Sequence, residues 1–370
     1  MGKRELAEVL GLVWSVDFWR MAVLWTFSIL ASYLQLFAQT IFKNKSKAYP
    51  RCHPPCNGII IRPLCIITGA TSGLGEAAAS ALARQGFYVI LAGRSSQLLA
   101  KTMEGITNQN KDAHLKAFEV DVSSFQSILR FKDSIEKWLL DSDLHFSIQL
   151  LINNAGILAT SHRLTAEGYD MMMATNYVGA FCLTKVMLPL LRNSPIGSRI
   201  VNVTSFTHRS LFDVHVDKAT VAGKCFLKTQ HYPFAQTYEY AKLCLLLFSY
   251  QLHRQLHLND KSCQVSVVAA DPGIVKTNIM RELPSCVSLG AFNVLKILGL
   301  LQSPINGVSS ILDAALAPPE ISGIYFFGGK GRTINSSAFS YNIKVAEKLW
   351  TTSWDLFQEL EHASRGTSTS

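Results

Sequence analysis

Two side chains in this sequence are spaced for proton chemistry. Tyr238 and Lys242 stand four positions apart in TYEYAKLCLLL, and helical spacing puts that phenol and that ammonium on one face. An ammonium beside a phenol favours the phenolate and lowers the tyrosine pKa from its free value of about 10. Such a phenol can give a proton to a carbonyl oxygen or take one from an alcohol. Tyr240 is also near, but at two positions from Lys242 it points away from the amine. Upstream, the apolar run RIVNVTS ends in two hydroxyls, Thr204 and Ser205, which alternation along a strand places on opposite faces.

A second group of residues is suited to a nucleotide. Thr68-Gly69-Ala70-Thr71-Ser72-Gly73-Leu74-Gly75 follows the apolar run LCIIT and opens a helix-like segment. Glycines there let the backbone turn tightly and approach a pyrophosphate, while the helix amino terminus offers free N–H groups and partial positive charge. The next strand ends Leu91-Ala92-Gly93-Arg94-Ser95, without the acidic residue that holds a ribose 2′-hydroxyl in NAD sites. A guanidinium at Arg94 suits a 2′-phosphate instead, so NADP(H) is the preferred cofactor, with NAD(H) still admissible. Asn153-Asn154-Ala155-Gly156 ends a further strand, and Asn176 lies in the helix after it.

These groups need a frame that brings strand ends together. Short apolar runs at 64–68, 87–91, 115–120, 149–153, 199–204, 264–270 and 323–327 alternate with helix-like segments. Near-continuous apolar strands separated by helices predict a parallel sheet covered on both faces. Right-handed crossovers then give an α/β, Rossmann-type, doubly wound sheet of seven strands. One catalytic domain is expected over 62–330, followed by a carboxyl-terminal helix and tail over 331–370.

In that order the pieces resemble the classical short-chain dehydrogenase/reductase family over about residues 62–330. The match rests on TGATSGLG, NNAG, the helix Asn176, the strand-end serine, YxxxK and Pro272-Gly273-Ile274-Val275-Lys276-Thr277. The resemblance implies the following roles. Tyr238 is the proton donor and acceptor. Lys242 binds the nicotinamide ribose and tunes Tyr238. Ser205, which the family pattern selects over Thr204, holds the substrate oxygen. Asn176 supports a proton-relay water. Thr68, Gly69, Ser72, Gly73, Leu74, Gly75, Ala155, Gly156, Pro272, Gly273 and Val275 contribute to the cofactor site. Asp121 contacts the adenine, Asn153 secures the central strand beside the adenosine, and Thr277 touches the carboxamide.

Between Ser205 and Tyr238 the loop is long, as in retinol-dehydrogenase-like and dehydrogenase/reductase-X-like members, and its Phe212, Phe226, Tyr232 and Phe234 are candidates to line a lipid-sized pocket. Residues 283–302, with Lys296 their only charge, read as an apolar substrate lid. The expected substrate is a hydrophobic alcohol or carbonyl: a retinoid, sterol, polyisoprenoid or long-chain lipid. A homodimer is compatible with this reading. The competing reading is a non-catalytic, cofactor-sensing version of the same fold at a membrane.

Composition agrees with a membrane setting. Hydrophobic residues make up 48% and charged residues 16%, against roughly 25% charged in an average soluble domain. That excludes disorder. The net charge of +9 is spread without a basic block, so no nucleic acid is expected. Residues 1–20 read as an amphipathic segment. Met21 to Phe42 contains no charge, and its 22 residues would span about 33 Å as a helix, enough for a bilayer core of about 30 Å. It is read as a transmembrane or in-plane anchor, with 43–61 as linker. Lysines and arginines favour a cytosolic carboxyl side only slightly, four following the segment and three preceding it. The endoplasmic reticulum is the expected site; a plastid envelope or lipid droplet is also compatible. The scattered cysteines read as reduced thiols. Cys52-His53-Pro54-Pro55-Cys56 has no second pair at zinc spacing, so no metal is expected.

Overall fold

The computed structural model of the chain describes residues 11, 14–41, 48–52, 62–229, 231–259 and 264–366. Most of the amino-terminal segment 1–20, most of the linker 43–61, the end of the anchor at Phe42 and the tail 367–370 lie outside the described residues. The core is a seven-stranded sheet in the order β3-β2-β1-β4-β5-β6-β7, with every pairing parallel. The strands are β1 (Leu64–Thr68), β2 (Tyr88–Gly93), β3 (His114–Glu119), β4 (Leu150–Asn153), β5 (Ser198–Val203), β6 (Val265–Asp271) and β7 (Tyr325–Phe327). The predicted strands all form, with ends shifted by a residue or two.

The order reverses between β1 and β4, where chain order switches direction, and that opens a crevice at the carboxyl ends of the strands. Before β1 lies α1 (Val16–Ile41). After β1 comes α2 (Gly73–Arg84). Then follow α3 (Ser96–Gln109), α4 (Phe125–Leu140) and α5 (Met171–Arg192). Further along are α6 (Phe234–Asn259), α7 (Ser285–Ile297), α8 (Ser309–Ala315) and α9 (Ile343–Gly366). One face of the sheet buries Leu64, Ile66, Leu151 and Ile200 against α4, α5, α6 and α9. The other buries Cys65, Ile67, Ile152 and Val201 against α2, α3 and α8. The fully apolar strands that signalled a two-sided sheet are therefore covered on both sides.

The apolar amino-terminal helix is docked along the domain. Met21, Ser28, Ile29, Ser32 and Leu36 are buried on one face. Ser28 Oγ pairs with Ser210 Oγ at 3.2 Å, Arg209 donates to Ser32 Oγ at 3.1 Å, and the Tyr33 ring meets Phe327 at 5.3 Å. These attachments, together with an ion pair at Arg20, run from residue 20 to 36, about 24 Å of helix. The opposite face exposes Val16, Trp19, Val23, Phe27, Leu30, Leu34, Phe37 and Ile41. Their steps of three and four residues draw a single apolar stripe.

Candidate active site

The site is built at the strand ends. β5 runs into a tight turn whose first residue, Ser205, is extended and accepts a hydrogen bond from Thr207 N–H. α6 then carries Tyr238, Glu239 and Lys242 beneath that turn. Tyr238 is buried, and its side chain lines the same cavity as Ser205. Lys242 Nζ donates to the Val203 carbonyl at 2.9 Å and lies 5.7 Å from the centre of the Tyr238 ring. Thr204, on the opposite face, donates to the Lys242 carbonyl at 3.1 Å, and the Tyr240 hydroxyl to the His215 carbonyl, away from the crevice. Tyr240 thus points away from the crevice, whereas Thr204 bonds back to α6 and still borders the cavity beside Ser205.

Asn176 lies where α5 loosens into an i→i+5 turn over Ala174–Val178, a distortion common at functional sites. Its amide accepts from Ile157 N–H at 2.8 Å and donates to the Ile157 carbonyl at 2.9 Å. A Cβ placed on Gly156 would stand 3.2 Å from Asn176 Oδ1 and 3.6 Å from Lys242 Nζ, so these groups converge on one point.

The electrostatics differ from the expectation of a depressed tyrosine. Burial raises the Tyr238 phenol above its ordinary value, Asp271 adds to the rise, and the Ser205 side chain opposes it. Burial lowers Lys242 to about 8 against the pull of Asp271. The reason is that enclosure disfavours the charged form of each group, and desolvation is the largest cause at both. Asp271, which the sequence did not single out, is fully buried and accepts from Gly273 N–H at 2.8 Å and from the Tyr325 hydroxyl at 2.5 Å. His208, also missed, is buried and neutral, its pKa lowered to about 3 mainly by burial. Its Nε2 accepts from Ser337 N–H, so its Nδ1 donates to the Ser205 carbonyl at 2.6 Å and ties the serine turn to the carboxyl-terminal loop.

A cavity of about 610 Å³ runs from the Gly-rich turn past Tyr238 to an apolar mouth. Gly69, Ser72, Gly73, Leu74, Arg94, Asp121, Ala155 and Gly156 line it, as do Pro272, Gly273, Val275 and Thr277. Three expected cofactor contacts stand behind it instead. Thr68 is buried and its hydroxyl accepts from Asn154 N–H and Ala155 N–H, both at 3.0 Å. Gly75 serves close packing of α2 on the turn. Asn153 is turned into the sheet, where its amide donates to Thr184 and Asn202 at 2.9 and 2.8 Å. Its neighbour Asn154 faces the cavity and donates to the Thr68 carbonyl at 2.8 Å.

The turn fits a dinucleotide. Gly69 and Gly73 have φ of +65° and +58°, a left-handed conformation that favours glycine. Ser72 precedes α2 without using its side chain as a cap, so the first-turn N–H groups and this hydroxyl face a phosphate-sized space. No group of three potential metal ligands occurs among the described residues.

The insert between Ser205 and Tyr238 lends Phe206 and Thr207 to the cavity wall, but not the four aromatics that were its candidates. Phe212 is exposed, Phe226 packs on Tyr240, and the Tyr232 hydroxyl donates to Asp170 at 2.8 Å. Phe234 is buried in a cluster beside Tyr238 but does not line the cavity. The apolar walls come from α1 and α7. Phe18, Met21, Ala22 and Trp25 face the cavity from one side; Leu283, Val287, Ala291 and Leu295 face it from the other. Part of the apolar segment 283–302 thus borders the cavity. The amino-terminal wall had no signal beyond the unbroken apolar run.

A Gly-rich strand-to-helix turn, a Ser-Tyr-Lys cluster and a parallel sheet in this order define a Rossmann-type oxidoreductase using a nicotinamide cofactor. Residues 64–214 match the family model described as short chain dehydrogenase. The chain is 30% identical to the polyprenol dehydrogenase of Danio rerio over 313 residues, covering 83% of this chain and 89% of that protein. It is also 30% identical to human retinol dehydrogenase 13 over 304 residues, covering 80% and 85%. The angucycline C-6 ketoreductase LanV, solved with bound NADP, shares the fold at a TM-score of 0.57 and 20% identity, over 77% of this chain and 98% of that one. The chain belongs to the short-chain dehydrogenase/reductase family and is an oxidoreductase.

Proposed function

We infer that the protein is an NADP(H)-dependent oxidoreductase that interconverts a hydrophobic, lipid-class alcohol and its carbonyl at a membrane surface. The observation that carries this reading is one continuous cavity, polar at Ser205, Tyr238 and Lys242 and apolar where α1 and α7 enclose it. NADP(H), when bound, supplies or accepts the hydride. The Ser205 hydroxyl holds the reacting oxygen, and Tyr238 passes the proton to or from it. Lys242 fixes the position of the phenol and balances its charge. Asn176 holds the Ile157 segment beside Lys242, where a water would complete a proton relay. Depletion of NADPH and NADH across a panel of retinoid, sterol, polyisoprenoid and long-chain carbonyls tests the assignment. Turnover of water-soluble carbonyls alone would remove the lipid class.

The cofactor preference rests on Arg94, which lines the cavity just beyond the end of β2. Arg94→Ala is expected to raise the Michaelis constant for NADPH far more than that for NADH. Losing one charge-assisted phosphate contact amounts to about 1.5–3 kcal/mol. Equal effects on the two cofactors would take Arg94 out of the 2′-phosphate role.

The attachment to membrane is proposed to be in-plane. A helix bonded to its own domain along one face cannot also stand across a bilayer apart from it, whereas its apolar outer stripe can sink into the acyl boundary. Phe27→Glu together with Leu34→Glu should weaken co-sedimentation with phosphatidylcholine vesicles without loss of folded protein. Unchanged sedimentation would return α1 to a purely intramolecular role.

The domain is proposed to face the cytosol from the endoplasmic reticulum. The sequon Asn335-Ser336-Ser337 reports on this, because Asn335 is exposed, whereas Asn202 of the second described sequon is fully buried in β5. No glycan is expected on Asn335 in cells. An endoglycosidase-sensitive mobility shift, lost in Asn335→Gln, would place the domain in a lumen.

A further inference from the structure

We propose that α1 is a specificity-determining wall of the substrate site, latched to the catalytic helix through Glu239. This goes beyond the proposed activity and concerns which part of the chain selects the substrate.

Glu239 directly follows Tyr238 on α6 and is fully buried. Both carboxylate oxygens accept from Arg20 at 3.1 Å, and Oε1 also accepts from the Trp25 indole N–H at 2.7 Å. The partners come from more than 200 positions away in sequence. A buried carboxylate is tolerable only when paired and hydrogen-bonded. Burial pushes the Glu239 carboxyl up, and Arg20 and Trp25 pull it back.

Apolar contacts alone would let a helix slide along the domain by a turn. A charge held by two donors on successive turns of α1 fixes one register. With its N–H committed to Glu239, the Trp25 ring is set 5.8 Å from the Tyr238 ring at 45°. A substrate whose oxygen sits at Ser205 and Tyr238 must therefore run past Trp25, and a long one continues along Met21 and Phe18.

The test uses the full chain in detergent micelles with NADPH and two probes, butanal and hexadecanal. Trp25→Ala should cut kcat/KM for hexadecanal at least tenfold more than for butanal. Glu239→Leu, which unlatches Trp25 without removing it, should move the ratio the same way, and Arg20→Lys should largely retain it. A structural disturbance would lower both probes together.

A second readout needs no substrate. Tryptophan emission transferred to bound NADPH should fall more in Trp25→Phe than in Trp138→Phe, whose ring packs on Tyr88 and Phe118 at the far side of the sheet. Probe ratios within twofold of the parent, or equal losses of transfer in the two phenylalanine variants, would overturn the proposal. If the parent reduces neither aldehyde, the proposed substrate class fails, and loss of energy transfer in Glu239→Leu still decides the latch. If Glu239→Leu does not fold, Arg20→Ala takes its place in both measurements.

Discussion

Tyr238→Phe should abolish most turnover while leaving NADPH bound as tightly as before. The substitution removes one oxygen. The ring keeps its place among Met21, Ile157, Leu158 and Leu283, so packing is conserved. On the proposed mechanism, the reacting oxygen loses the phenol that gives or takes its proton. General acid–base catalysis contributes roughly 100- to 10,000-fold, and kcat should fall within that range. Cofactor binding measured by NADPH fluorescence gives the control. Full activity in this variant would remove Tyr238 from the mechanism, and a scaffold role for the chain would survive the change untouched.

Gly75→Ala should be nearly as damaging, through binding rather than chemistry. A Cβ there would stand 2.3 Å from the Gly69 carbonyl oxygen and 2.6 Å from Asn154 Nδ2. The first is backbone and cannot rotate aside, so α2 must move off the turn that lines the cofactor cavity. Overpacking of this kind amounts to about 1–3 kcal/mol. The dissociation constant for NADPH should rise roughly tenfold or more, with a lowered melting temperature. An unchanged constant in a fully folded variant would show that the turn does not need this close approach.

The sheet and most of the nucleotide turn were legible because their signals are local. Five apolar residues between turn glycines make a buried strand wherever they occur, and Tyr238 and Lys242 need only helical spacing to meet. The amino-terminal wall was not legible, because its partner lies far along the chain. Met21 to Phe42 satisfies a bilayer and a docking groove equally well by composition. What separates them is the face bearing Met21, Trp25, Ser28, Ser32 and Leu36, and a buried carboxylate on α6. Glu239 sat unnoticed between two tyrosines, yet a lone acid at a buried helical position demands a donor, and Arg20 is the cation at the edge of the apolar run. The aromatics of the insert were ambiguous for the opposite reason: Phe226 and Tyr232 were available to any apolar neighbour, and the body of the domain claimed them. Asn153, which the resemblance has securing the central strand, does bond within the sheet to Thr184 and Asn202, and it is Asn154 that borders the cavity.

One consequence follows from having the mouth of the cavity framed by α1 and α7, with Phe27 and Leu34 outward on the first and Leu289 and Ile297 outward on the second. If those faces rest in lipid, the substrate arrives by lateral diffusion and never crosses bulk water. Rates then follow the mole fraction of substrate in the film, not its molar concentration in the tube. Adding inert phospholipid at a fixed total amount of substrate should slow the reaction, as surface dilution does, although nothing in the aqueous composition has changed. Removing residues 1–42 to obtain a more tractable protein would discard the apolar wall that α1 supplies and, if its outer face rests in lipid, this two-dimensional kinetics with it.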